Sequence, residues 1–176
     1  MCIRDSNEVY QTNIDNIYAA GDVIGFPALA STSMEQARFA MDHAFKLGYK
    51  KQVAPIPAYG IYTIPEVSMA GYTELQLKEE NVDYVCGKAY YNQNARGMIV
   101  GDEHGLLKLL FDRETMKLLG VHVIGESASE LIHAGLIALM SDATHELFIS
   151  TCFNYPTLSE LYKYATYDAM GKVNSR

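Results

Sequence analysis

The chain has 176 residues, of which 49% are hydrophobic and 20% charged, with a net charge of −7. That balance excludes wholesale disorder, and no apolar run approaches the ~20 residues of a membrane-spanning helix. An acidic chain without a Lys/Arg run also argues against nucleic acid as the main partner.

Residues 1–6 are too short and too polar for a secretory signal and read as a foreign or disordered edge. Residues 10–12 and 16–20 (Asn-Ile-Tyr-Ala-Ala) are short β-prone runs that end at Gly21-Asp22. From Leu29 the period changes. Ala30, Met34, Ala37, Met41 and Ala44 recur at intervals of three and four and predict one apolar face of a helix closing near Gly48. Residues 51–57 hold two prolines and no period, so they read as a linker.

Residues 59–64 alternate like a strand stopped by Pro65, and Thr73 with Gln76 forms a capping box for a short helix reaching about residue 81. Strands are expected over 82–91, 106–111 and 118–124, the last two joined as a hairpin through the polar residues 112–117. A helix with Ala128, Leu131, Ile132, Gly135, Leu136 and Leu139 on one face follows Gly125-Glu126-Ser127, and a last helix is expected from Thr157 to about Met170. The order is strand–helix (7–50), linker, then an antiparallel sheet with helices beside it (58–176), an α+β domain preceded by a remnant of an α/β layer. A strand and a helix cannot build a parallel α/β domain alone.

Few residues combine into chemistry. The run Ile17-Tyr-Ala-Ala-Gly21-Asp22 delivers one carboxylate to the end of a strand, the edge where α/β sheets bind ligands. The helix that follows offers unpaired N–H groups to an oxyanion or an anionic ring. Gly125 to Ser129 has the setting of a nucleophile elbow, with Asp142 and His145 in hydrolase order. Ser129 replaces its closing glycine, and the preceding strand reads as half of a hairpin, which argues against a serine hydrolase. His43, His104, His122, His133 and His145 lack metal-ligand spacing, so no metal is expected; His122 and His133 read as satisfied structural histidines. Cys2, Cys86 and Cys152 form neither a disulfide framework nor a CxxC pair, which points to a reducing, cytoplasmic setting. Cys86 and Cys152 read as inert small hydrophobes, and the tyrosines Tyr155, Tyr162, Tyr164 and Tyr167 as packing groups.

Four segments in register resemble the pyridine nucleotide–disulfide oxidoreductases. Gln11-Thr with Ile17-Tyr-Ala-Ala-Gly21-Asp22 and Pro27-Ala-Leu29-Ala30 looks like their second flavin-contacting segment. Tyr62-Thr-Ile-Pro65-Glu66 with Gly71-Tyr-Thr73-Glu74 resembles the start of their C-terminal interface (dimerisation) domain. Leu119-Gly-Val-His-Val-Ile-Gly125-Glu126 and Tyr155-Pro-Thr-Leu-Ser-Glu160 look like later landmarks. The resemblance implies that Gly21, Asp22, Leu29 and Ala30 meet FAD, and that Tyr155 does so from the partner of a homodimer. Disulfide-reducing members carry a His–Glu pair where Tyr155 and Glu160 stand here, and a tyrosine with a reference pKa of ~10 is a poor proton shuttle for thiolates.

Phe153-Asn-Tyr-Pro-Thr therefore resembles the subgroup of soluble FAD-containing transhydrogenases, which pass hydride between NADPH and NAD. The alternatives are a divergent dihydrolipoamide dehydrogenase-like disulfide reductase and a non-catalytic dimerisation module. No GxGxxG fingerprint occurs for the ADP half of FAD or for NAD(P). The isolated chain is accordingly expected to bind neither cofactor tightly and to be inactive.

Overall fold

A computed structural model describes residues 5–174, so residues 1–4 of the expected edge, with Cys2, lie outside the description. The chain divides into two compact units, one ending at residue 57 and one beginning at 58.

In the first unit the expected strands are absent. Gln11 and Tyr18 form only an isolated antiparallel bridge, and residues Gly21–Ile24 turn as a 3₁₀-helix. A two-residue pairing has no further strand to extend it, so β propensity over 16–20 yields one bridge. Helix α1 (Ala30–Phe45) forms as expected but ends at Lys46, which adopts a left-handed conformation. Its predicted apolar face is open: Met34 is 52% exposed and Met41 42% exposed, while the buried residues are Gln36, Ala40 and Asp42. The burial of the two polar residues accompanies hydrogen bonding. The Asp42 carboxylate accepts from the Tyr49 and Lys50 backbone N–H groups at 2.9 and 3.3 Å and ties the chain after α1 back onto the helix.

The second unit is a five-stranded antiparallel sheet, ordered β1-β2-β5-β4-β3, with β1 Ala58–Ile61, β2 Glu66–Gly71, β3 Tyr84–Tyr90, β4 Leu106–Asp112 and β5 Leu118–Gly125. The expected fold class is thus borne out in this unit, with one strand more than the sequence reading supplied. β2 was hidden because Pro65 reads as a stop, whereas it separates two strands of a hairpin, with Tyr59 opposite Met69. Helix α2 (Glu74–Glu79) carries the expected capping box: Thr73 Oγ1 accepts from Gln76 N, and Gln76 Oε1 from Thr73 N. At the β4–β5 turn Asp112 Oδ1 accepts from the N–H groups of Glu114 and Thr115, which closes the expected hairpin.

Two short helices were not foreseen, α3 (Ala95–Val100) and α5 (His145–Ser150), each only six residues and below the length at which periodicity can be read. Helix α4 (Ala128–Met140) packs on β5, β2 and β1, and α6 (Leu161–Asn174) on β3 and β4. α6 starts four residues later than expected because Leu158–Glu160 turns as a 3₁₀-helix. The core lies between these helices and one sheet face, with Leu107, Leu109, Phe111, Val121, Ile132, Leu161 and Tyr162 at most 1% exposed. The open edge of β3 is covered by side chains. Arg113 Nη2 donates to Tyr84 O at 2.7 Å, Lys172 Nζ to Cys86 O at 2.9 Å, and Lys88 N donates to Asp168 Oδ2 at 2.8 Å. An edge so engaged offers few free backbone groups to a second strand.

Candidate functional site

The first part of the site is the turn before α1. Gly21 has φ +81°, and an added Cβ would lie 2.9 Å from Ser33 Oγ, so a side chain is doubly disfavoured there. The buried Gln36 fixes this turn by accepting the Gly21 N–H on Oε1 at 2.7 Å. Asp22 follows, exposed, and its carboxylate has no hydrogen-bond partner among the described residues. It stands in the first turn of the 3₁₀-helix rather than at the end of a strand, which corrects the expected placement. Leu29 is the N-cap of α1 with extended backbone, and its carbonyl accepts from both Ser33 N and Ser33 Oγ. No side chain caps this helix end and its first turn holds no acidic residue. The opening N–H groups beside the exposed Ala30 therefore remain available, at the positive end of the helix dipole.

An acceptor for hydroxyls and an uncapped helix start fit a ligand with a polyol chain and a ring that gains negative charge on reduction, as FAD has. Gln36 and Ser33 escaped the sequence reading. The signal available was a polar residue at 36 inside a helix opened by a glycine turn.

The second part lies in the other unit. Residues 151–157 run without regular structure from α5 to the 3₁₀-turn before α6. Tyr155 is 75% exposed, and its bond to Pro156 is cis. Glu160 is half-buried, and its carboxylate has no hydrogen-bond partner among the described residues. Tyr162, in contrast, is fully buried, donates to Leu131 O at 2.8 Å, accepts from Gly135 N and stacks on Phe148. Of the four tyrosines Tyr162 fills the core, while Tyr155, Tyr164 and Tyr167 are largely exposed in this single chain, where a subunit interface would have to cover them.

The hydrolase arrangement is not assembled. Ser127 follows the C-terminal end of β5, whereas Asp142 pairs with Lys117 at 2.6 Å beside its start, about 25 Å away for eight strand residues. No cluster of metal-ligating side chains exists among the described residues. His133 Nδ1 lies 3.2 Å from Glu130 O, but the expectation for His122 is corrected. Both its ring nitrogens are buried without partners, because β5 places it between Lys108 of β4 and Met69 of β2, and Lys108 is engaged by Glu74 at 2.9 Å. Burial first, and the Lys108 ammonium second, push His122 down to about 4, against the opposing pull of Glu74. Cys86 is half-buried, its thiol raised chiefly by burial, whereas Cys152, read as a small hydrophobe, is exposed in this chain.

Residues 57–166 match the family model of the pyridine nucleotide-disulphide oxidoreductase dimerisation domain. The chain belongs to this family. It is 48% identical over 167 residues to a soluble pyridine nucleotide transhydrogenase of Mycobacterium tuberculosis, covering 94% of this chain and 35% of that protein. A soluble pyridine nucleotide transhydrogenase of Marinomonas sp. is 42% identical over 170 residues, 95% of this chain and 36% of the relative. The chain therefore spans about a third of the length of these curated relatives. Among solved structures, LpdA from Mycobacterium tuberculosis superposes with a TM-score of 0.82 at 30% identity, over 94% of this chain and 36% of LpdA. Among the described residues no helix is long and apolar enough to cross a membrane.

Proposed function

We propose that this chain is the C-terminal part of an FAD-dependent enzyme that transfers hydride between NADPH and NAD. In this reading residues 7–50 belong to the flavin-binding domain, and residues 58–176 form a homodimer interface in the cytoplasm. Tyr155 carries the choice of reaction: it stands, exposed, where disulfide-reducing members hold their histidine. A phenol with an ordinary pKa of ~10 cannot serve a dithiol as an imidazole does. The names and identities of the relatives support the same choice.

When bound, FAD supplies a ring that accepts hydride from one nicotinamide and gives it to another. The residues of this chain bind and orient. The Asp22 carboxylate accepts from a hydroxyl of the ribityl chain, and Gly21 brings its backbone close. The opening N–H groups of α1, at Leu29 and Ala30, face the pyrimidine side, where the helix dipole favours added negative charge. The backbone at Tyr155–Pro156 approaches the ring from the partner subunit, with the tyrosine hydroxyl in no proton-transfer role.

The test uses the complete reading frame containing this chain. Purified protein given NADPH and the NAD analogue thio-NAD, whose reduced form absorbs at its own wavelength, is expected to reduce the analogue without added thiol. Tyr155→Phe should retain that rate to within about threefold, whereas loss of a general acid or base would cost about 10²–10⁴. Absence of thio-NAD reduction, with turnover of a disulfide substrate instead, would favour the disulfide-reductase alternative.

A further inference from the structure

We infer that Asn94 is a positioning residue that holds the Tyr155–Pro156 segment through one side-chain hydrogen bond. Asn94 is 2% exposed and uses both halves of its amide. Oδ1 accepts from Arg96 N at 3.0 Å and Gly97 N at 3.1 Å, which caps α3. Nδ2 donates to the Thr157 carbonyl at 3.1 Å. Among the described residues this is the one side-chain hydrogen bond that reaches residues 152–157 from elsewhere in the chain. Within the segment, Thr157 Oγ1 donates to Asn154 O at 2.6 Å. With Tyr155 75% exposed, packing does little to hold that residue.

The clamp itself stands on rigid ground. Asn94 N donates to Tyr91 O at 3.0 Å, and Tyr91 N donates to Gly105 O at 2.9 Å. The fully buried Tyr91 ring sends its hydroxyl to Glu126 O at 3.1 Å. Gly97 lets α3 close onto this turn, since a Cβ there would lie 2.0 Å from Tyr91 O. The sheet thus sets Tyr91, Tyr91 sets Asn94, and Asn94 sets Thr157, two residues from Tyr155. The functional consequence rests on the proposed reading that the Tyr155–Pro156 backbone meets the flavin.

The test is Asn94→Asp in the complete, flavin-loaded protein. The aspartate keeps the acceptors for Arg96 and Gly97, loses the donor, and turns an oxygen toward the Thr157 carbonyl. Proteolytic cleavage within residues 152–157 should quicken about tenfold while the Arg96 and Gly97 amides stay protected from exchange. The flavin absorption and fluorescence should shift, and kcat should fall more than KM changes. Asn94→Ser, which retains a capping oxygen without the donor, carries the same test should the aspartate variant not fold. Unchanged cleavage within 152–157 overturns the positioning role and leaves Asn94 a helix cap alone. Faster cleavage with an unaltered flavin keeps the clamp and overturns the reading that this backbone meets the ring.

Discussion

The two units of this chain are held together in different ways. The unit beginning at residue 58 owns a core, with Leu107, Leu109, Leu110, Phe111 and Val121 entirely buried between sheet and helices. In the unit ending at residue 57, Ala40 is the one fully buried apolar side chain among the described residues. Phe26 is 83% exposed there and Phe45 70% exposed, and buried polar groups do the fixing: Gln36 on the Gly21 turn, and Asp42 on Tyr49 and Lys50. Within this chain one unit buries a continuous apolar core, while the other is fixed by local hydrogen bonds, each contributing only about 1 kcal/mol.

The largest effect that separates the regions is a core truncation. Leu109→Ala should cost about 3–4 kcal/mol in chemical denaturation, against less than about 0.5 kcal/mol for the exposed Met34→Ala. Equal costs would erase the distinction.

The next effect is a pH dependence confined to the second unit. His122 titrates near 4 when folded and near its ordinary 6.5 when unfolded, so between those values the unfolded chain takes up a proton that the folded chain refuses. Stability is therefore full above about pH 6.5 and drains as pH falls toward 4, by at most about 3 kcal/mol. His122→Leu, which leaves the Lys108–Glu74 pair in place, should flatten that part of the profile. A wild-type profile already flat from pH 7 to 4.5 would contradict the burial of this imidazole.

The smallest effect probes the first unit. Gln36→Ala leaves the Gly21 N–H without its acceptor and should cost about 1 kcal/mol, read as faster amide exchange at Gly21 and through the start of α1, with the sheet amides unaffected.

The same contrast governs what could be read from residue order. Where a local rule and the tertiary structure agree, as in the Thr73–Gln76 capping box, the Asp112 turn and the apolar runs of β4 and β5, the elements were legible. β2 was not, because a proline between two strands of a hairpin looks like an ending. The helix α1 was legible from its period, but the burial of Gln36 and Asp42 was not, because it follows their hydrogen bonds. Within the candidate site, Gly21, Asp22 and Tyr155 stood out by their neighbours in sequence. Asn94 did not, although an asparagine before Ala-Arg-Gly-Met is a serviceable N-cap signal for α3. Its donor reaches Thr157 across 63 residues, a distance no local pattern encodes.

The central claim, that Asp22 holds the sugar-alcohol chain of a flavin, is tested most directly by flavin content. In the complete protein, purified and dialysed, the wild type should retain close to one FAD per subunit. Asp22→Asn should release it with a Kd raised about tenfold or more, with folding and association state unchanged. Full retention of FAD by the Asn variant, at wild-type affinity, would contradict the account.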